Sequence, residues 1–148
     1  MELTIEQALQ KAVEAHKVGK LQDAEVLYRA ILQSQPKHPD ANHNLGVMAV
    51  SLNKTEAAIP LFKIALEANP NQGQFWISYI DALIKEKQFE IAKSVLEQGK
   101  KLGLTGEKVD VLEAQLTAIL LTQSAETSAN TITVRSISVA AQMFFPSM

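Results

Sequence analysis

Shifted against itself by 34 positions, this sequence brings the same kinds of residue together three times, and a chain that repeats at this interval has few folds open to it. Ala24, Ala58 and Ala92 coincide, and four places later the large apolar Tyr28, Phe62 and Leu96 coincide. Upstream, Ala12, Gly46 and Ile80 align, as do Ala15, Ala49 and Leu83; downstream, Ile31, Ala65 and Gly99 align. Pro36 and Pro70 share a place that Leu104 takes in the third unit, which makes the third unit the weakest match. Repeats of this length are single supersecondary units that cannot bury their apolar face alone and must stack.

Within a unit the apolar residues recur at steps of three and four. Ala41, Leu45, Met48, Ala49 and Leu52 form one such stripe, and Ala58, Leu61, Phe62, Ala65 and Leu66 form another. Each unit therefore reads as two amphipathic helices joined by a turn. The turns fall at Gly19-Lys20, Asn53-Lys54 and Lys87-Gln88; Gly and Asn suit a left-handed helix-ending residue, and Lys87 suits it poorly. Thr4 followed by Gln7 predicts a capping box and a first helix starting near residue 5. Pro39 fits a first helical turn, whereas Pro60 falls inside its helix and predicts a slight bend. The recurrent alanines are expected where two helices approach to about 8–10 Å, with Tyr28, Phe62 and Leu96 filling the wedge between successive hairpins.

Composition excludes several function classes. A formal net charge of −2 offers no basic field for nucleic acid. The absence of cysteine removes disulfides and thiolate metal sites. No run reaches the ~18 uncharged apolar residues of a membrane span, and the opening residues lack a basic, then apolar, secretory signal, so a cytoplasmic location is expected. There is no phosphate-binding glycine loop, nucleophile elbow or zinc-protease motif, so no catalytic residue and no cofactor is assigned and the chain is read as a non-enzyme. His38 and His43 lie five apart across a Pro-containing turn without a ligand pattern around them, and no metal is assigned. Asp110 and Glu113 read as a solvated helix face, and Trp76 and Tyr79 as core.

The recurring small residues (Ala12, Gly46; Ala24, Ala58, Ala92), the aromatics Tyr28 and Phe62, the prolines Pro36 and Pro70, and Trp76 resemble the tetratricopeptide repeat over about residues 5–106. The run from Tyr28 to Gly46 is similar to the repeats that precede bacterial glycosyltransferases, sulfotransferases and methyltransferases, and to those of O-linked N-acetylglucosamine transferase. The resemblance implies an all-α fold: a right-handed α-solenoid of three helical hairpins (about 5–38, 39–72 and 73–106) plus a C-terminal capping helix at about 107–123. Together these make a domain over 1–123, followed by a linker-like tail, 124–148, that is disordered, packed loosely on the array, or bound to a partner. Residues 131–139 have strand-like composition, and the ending Met143-Phe144-Phe145 is apolar.

The resemblance also implies that the first helix of each hairpin lines a concave surface holding a peptide or a helix of a partner protein, which would make the chain an interaction scaffold. In that register the groove takes Gln10, Val13 and Lys17 from the first unit and His43, Asn44 and Val47 from the second. It takes Gln74, Ile77, Ser78, Asp81 and Lys85 from the third. Members that clamp a terminal carboxylate use basic residues and asparagines at places held here by Leu9, Val13, Asn44, Gln74 and Ser78; only Asn44 agrees, so no clamp is expected. Asn44, with Gln10 and Ser78 beside it in the register, is expected to offer an amide to the backbone of an extended ligand. The alternative function is that of a substrate-recruiting arm of a transferase whose catalytic domain is not in this sequence. Self-association is expected through the terminal helix or the tail.

Overall fold

The computed structural model describes the backbone of residues 2–144 and the side-chain surroundings of residues 2–127. Seven helices follow one another: α1 (Ile5–Lys17), α2 (Leu21–Ser34), α3 (Pro39–Ser51), α4 (Thr55–Ala68), α5 (Gly73–Lys85), α6 (Phe89–Lys101) and α7 (Glu107–Phe144). No strand occurs among the described residues. The starts of α1, α3, α5 and α7 lie 34 residues apart, as do those of α2, α4 and α6. α1 packs on α2, α3 on α4 and α5 on α6, and each second helix packs on the first helix of the next hairpin. α1 also touches α3, α3 touches α5 and α5 touches α7, so the first helices form one wall of an α-solenoid.

Local signals set the helix ends. Thr4 and Gln7 form the capping box, with the Gln7 N–H donating to Thr4 Oγ1 at 3.1 Å and the Thr4 N–H donating to Gln7 Oε1 at 3.0 Å. Pro39 occupies the first turn of α3, where the missing N–H costs no helical bond. Gly19, Asn53 and Lys87 all take positive φ (82°, 60° and 60°), so one hairpin turn is built three times. Lys87 adopts it against its own preference, because the packing of α5 on α6 dictates the turn. Pro60 lies inside α4, which runs on to Ala68.

The hairpins are closed by the expected small residues: Ala24, Ala58 and Ala92 are fully buried. Tyr28, Phe62 and Leu96 are buried beside them. Gly46 shows why size matters there, since a methyl group at that position would sit 2.5 Å from the Phe62 ring. The third hairpin makes the opposite exchange. Trp76 is large, and Gly99 opposite it leaves room, because a Cβ there would meet Leu104 at 2.8 Å and Trp76 at 3.1 Å. Across the units the aligned pairs read Ala8 and Ile31, Asn42 and Ala65, Trp76 and Gly99: as the first-helix residue grows, its counterpart shrinks. The third unit, the weakest match in sequence, is thus a repacked hairpin rather than a damaged one.

One corresponding hydrogen bond ties each inner hairpin to the one before it. The Asn42 amide donates to the Pro36 carbonyl at 3.0 Å, and 34 residues later the Trp76 indole donates to the Pro70 carbonyl at 2.8 Å. Trp76 and Tyr79 are buried, as core residues should be.

The C-terminal segment departs from the sequence expectation. α7 does not stop near residue 123, and residues 131–139 are helical rather than strand-like in backbone. After Gly106 no Gly or Pro occurs before Pro146, so nothing in the chain punctuates the helix. At the place of Gly19, Asn53 and Lys87 the fourth unit has Leu121, and the helix runs through it. Phe145, part of the apolar ending, lies outside the described residues. Among the described residues no helix is long and apolar enough to cross a membrane.

α7 begins as a fourth first helix, with Val109, Leu112 and Leu116 buried in the core. Where it meets α6, two positions change from apolar to charged. Leu66 and Tyr79, which are buried at the α4–α5 junction, correspond one repeat later to Lys100 and Glu113. Those two form an exposed ion pair at 2.7 Å. At the α6–α7 junction a solvated ion pair thus stands where the preceding repeat is apolar, next to a groove lined by Leu96, Leu116 and Leu120.

Candidate concave binding wall

The wall is made by the sides along which α1, α3, α5 and α7 touch one another in turn. The structure separates the eleven expected groove residues into open and engaged ones. Gln10, Lys17, Val47, Gln74 and Lys85 are exposed; Val13, Asn44, Ile77, Ser78 and Asp81 are half-buried. His43 is buried, at 8% exposure.

His43 joins two repeats. Its ring lies 4.7 Å from the Phe75 ring and 5.4 Å from the Phe62 ring, centroid to centroid. Its Nε2 lies 2.8 Å from Ser78 Oγ on α5, and its Nδ1 lies 3.4 Å from Asn44 Oδ1. Ser78 Oγ also accepts from the Gln74 amide at 3.1 Å. These groups satisfy one another in a single direction when the imidazole is neutral. Gln74 donates to Ser78, the Ser78 hydroxyl donates to Nε2, and Nδ1–H donates to Asn44. Burial lowers the His43 pKa, against smaller upward contributions from Asn44 and Asp40, and so favours that neutral ring.

Asn44 is half-committed. Besides His43 it neighbours the buried Tyr28 hydroxyl, whose pKa is raised by burial and partly restored by the Asn44 amide. That hydroxyl also lies 3.5 Å from His16 Nδ1. Among the described residues no hydrogen bond joins Gln10, Asn44 and Ser78 to one another; Ser78 is held by His43 and Gln74 instead. His38, the other member of the histidine pair, caps α3 by accepting the Ala41 N–H at 3.2 Å. Among the described residues no group of three or more His, Cys, Asp or Glu side chains could hold a metal ion.

The wall changes character along its length. Between α3 and α5 the His43–Ser78 bond and the His43–Phe75 contact close the gap. Between α5 and α7, among the described residues, apolar packing takes the place of a polar bridge, and a cleft of about 520 Å³ opens on that face. Gln74, Ile77, Ser78 and Asp81 line one side; Glu107, Lys108, Val111, Leu112 and Gln115 line the other. Asp81 pairs with Lys85 at 3.0 Å on the rim. Lys108, Val111, Leu112 and Gln115 are the residues of the α5 row moved on by 34 positions. The sequence marks Val111, with Ala118 and Leu121, as a second apolar flank of the capping helix, suited to a fourth unit without its partner helix or to a docking surface, but does not put these four in the groove; the repeat register, carried one unit further, does.

The tetratricopeptide repeat family model matches residues 9–73 of the chain. No curated protein matches its sequence. Among solved structures, the first TPR of Spaghetti (RPAP3) bound to the HSP90 peptide SRMEEVD is 18% identical, with a TM-score of 0.71 over 79% of this chain and 93% of that one. MamA from AMB-1 is 22% identical, with a TM-score of 0.70 over 80% of this chain and 64% of that one. PilF of Pseudomonas aeruginosa is 17% identical, with a TM-score of 0.66 over 98% of this chain and 63% of that one. The chain thus spans slightly less than two thirds of the latter two. At these identities the likeness is one of fold: an all-α tetratricopeptide-type solenoid.

Proposed function

We propose that this chain is a non-catalytic interaction scaffold that holds a peptide or helix of a partner protein against the wall formed by α1, α3, α5 and α7. The observation that carries the proposal is the wall itself. It presents exposed apolar side chains, Val47 at 36% and Val111 at 59% exposure, among amides and short polar groups. Burying such apolar surface favours association, and the amides can satisfy a ligand's backbone. The HSP90 peptide bound to the first TPR of RPAP3 supports the reading, since that domain has the same fold. The peptide's chemistry does not carry over. The clamp places hold Leu9, Val13, Asn44, Gln74 and Ser78, which supply no cation for an acidic terminus. Recruitment of substrates to a bacterial glycosyltransferase or related transferase is a narrower form of the same proposal, supported by the likeness of residues 28–46 alone.

The test is affinity capture of native partners by the wild-type chain and by the triple variant Gln10→Ala, Asn44→Ala, Gln74→Ala. A surface control, Val26→Asp on α2, is run beside them. The specific partner should be lost with the triple variant and retained with the control. Retention by the triple variant together with loss in the control would move the site to the opposite side. A transferase among the proteins lost in this way would support the narrower form.

A further inference from the structure

Resting on the scaffold reading, we propose that the cleft between α5 and α7 is where the partner is anchored, and that its occupant is an extended, uncharged segment inserting one aliphatic side chain. The geometry of the wall leads to this place. Successive first helices present the same register positions, and the element that decides whether they leave a gap is the residue in the row of His43. On α3 that residue is the imidazole itself, which stacks on Phe75 and bonds Ser78, so α3 and α5 are stitched together. On α5 it is Ile77, which has no polar group with which to reach α7. On α7 it is Val111, left 59% exposed although it lies on an inner wall. Ile77, Val111 and Leu112 make an apolar floor. An aliphatic side chain placed there would remove both its own surface and that of Val111 from water.

Charge selects the rest of the occupant. Asp81 pairs with Lys85 on one lip, and the other lip carries one residue of each sign, Glu107 and Lys108, which do not pair with each other, so the charges at the cleft cancel in sum. A cleft whose charges cancel offers no net attraction to an acidic or a basic ligand, so an uncharged segment is favoured. Gln74, Ser78 and Gln115 ring the floor with amide and hydroxyl groups. The Gln115 amide and the Gln74 carbonyl, which the bonds to Ser78 and His43 do not use, can pair with the backbone of an extended strand of any sequence. A helix, whose backbone groups are internally bonded, would leave them without a use.

A display library of random twelve-residue peptides selected on the full-length chain tests this, with binding of the enriched peptides read by fluorescence anisotropy. The expected peptides share an uncharged core containing an aliphatic residue. Their affinity should fall at least tenfold in Val111→Lys and less than threefold in Val26→Lys on α2, both exposed sites whose replacement leaves the core intact. The peptide SRMEEVD is the acidic comparison and should bind at least tenfold more weakly than the enriched set. Peptides that tolerate Val111→Lys and lose binding in Val47→Lys would overturn the cleft assignment while leaving the groove in place. Tight SRMEEVD binding would overturn the uncharged occupant. Failure of any peptide to be enriched, or indifference to both Val111→Lys and Val47→Lys, would overturn the cleft and the groove reading together.

Discussion

At the scale of single residues, the fold rests on reciprocal sizes. Gly46 is glycine because the Phe62 ring occupies the space a Cβ would take. Gly46→Ala should therefore cost about 1–3 kcal/mol by overpacking, and Phe62→Ala about 3–5 kcal/mol by leaving a cavity. Combining Gly46→Ala with Phe62→Leu should recover part of the loss, a coupling that chemical denaturation of the four species would measure; strict additivity would contradict the contact. His43 carries a different consequence. Its lowered pKa means that the unfolded chain binds the proton more readily than the native one. The stabilisation from a neutral His43 is complete above the ordinary imidazole value of about 6.5 and is lost as pH falls toward the lowered native value. Melts at pH 7.5 and 5.5 should show a steeper acid loss for wild type than for His43→Gln. The bridge to Ser78 was not legible in the sequence, because the two residues are 35 apart and fall in different rows of the register. Periodicity reports which residues share a face, not which side chain will lean across to the next helix.

At the scale of elements, the hairpin turn shows the repeat overruling local preference. Asn53 and Gly19 suit positive φ, but Lys87 holds φ 60° because α5 and α6 must close as the other hairpins do. Lys87→Gly should stabilise the chain by about 1 kcal/mol through relief of that strain, whereas Lys87→Val should destabilise it; thermal denaturation gives the sign. Helix starts, the capping box and the buried alanines were all readable from spacing and from Thr4, Gln7 and Pro39. The end of α7 was not. Thr, Ile and Val between residues 131 and 139 gave a strand-like composition, yet the continuity of the helix is decided by the lack of any breaker after Gly106. β-branched residues cost a helix only a few tenths of a kcal/mol each, far less than a Gly or Pro would.

For the whole molecule, termination and binding are two outcomes of the same register. Where α6 meets α7, the last junction replaces Leu66 and Tyr79 by the ion pair Lys100–Glu113, which adds little stability but leaves that place solvated. Restoring the apolar pair with Lys100→Leu and Glu113→Tyr should create an adhesive end, seen by sedimentation as stronger concentration-dependent association than the wild-type chain shows at the same concentrations. On the inner side the register continues onto α7, and there the wall opens into the cleft. The measurement closest to this claim is an amide chemical-shift titration of the full chain with a peptide selected on it. The largest shifts are expected at Gln74, Ile77, Ser78, Lys108, Val111 and Gln115, with Val26 on α2 and Ile91 on α6 unmoved. Shifts centred on Val26 and Ile91, with the cleft residues silent, would contradict it.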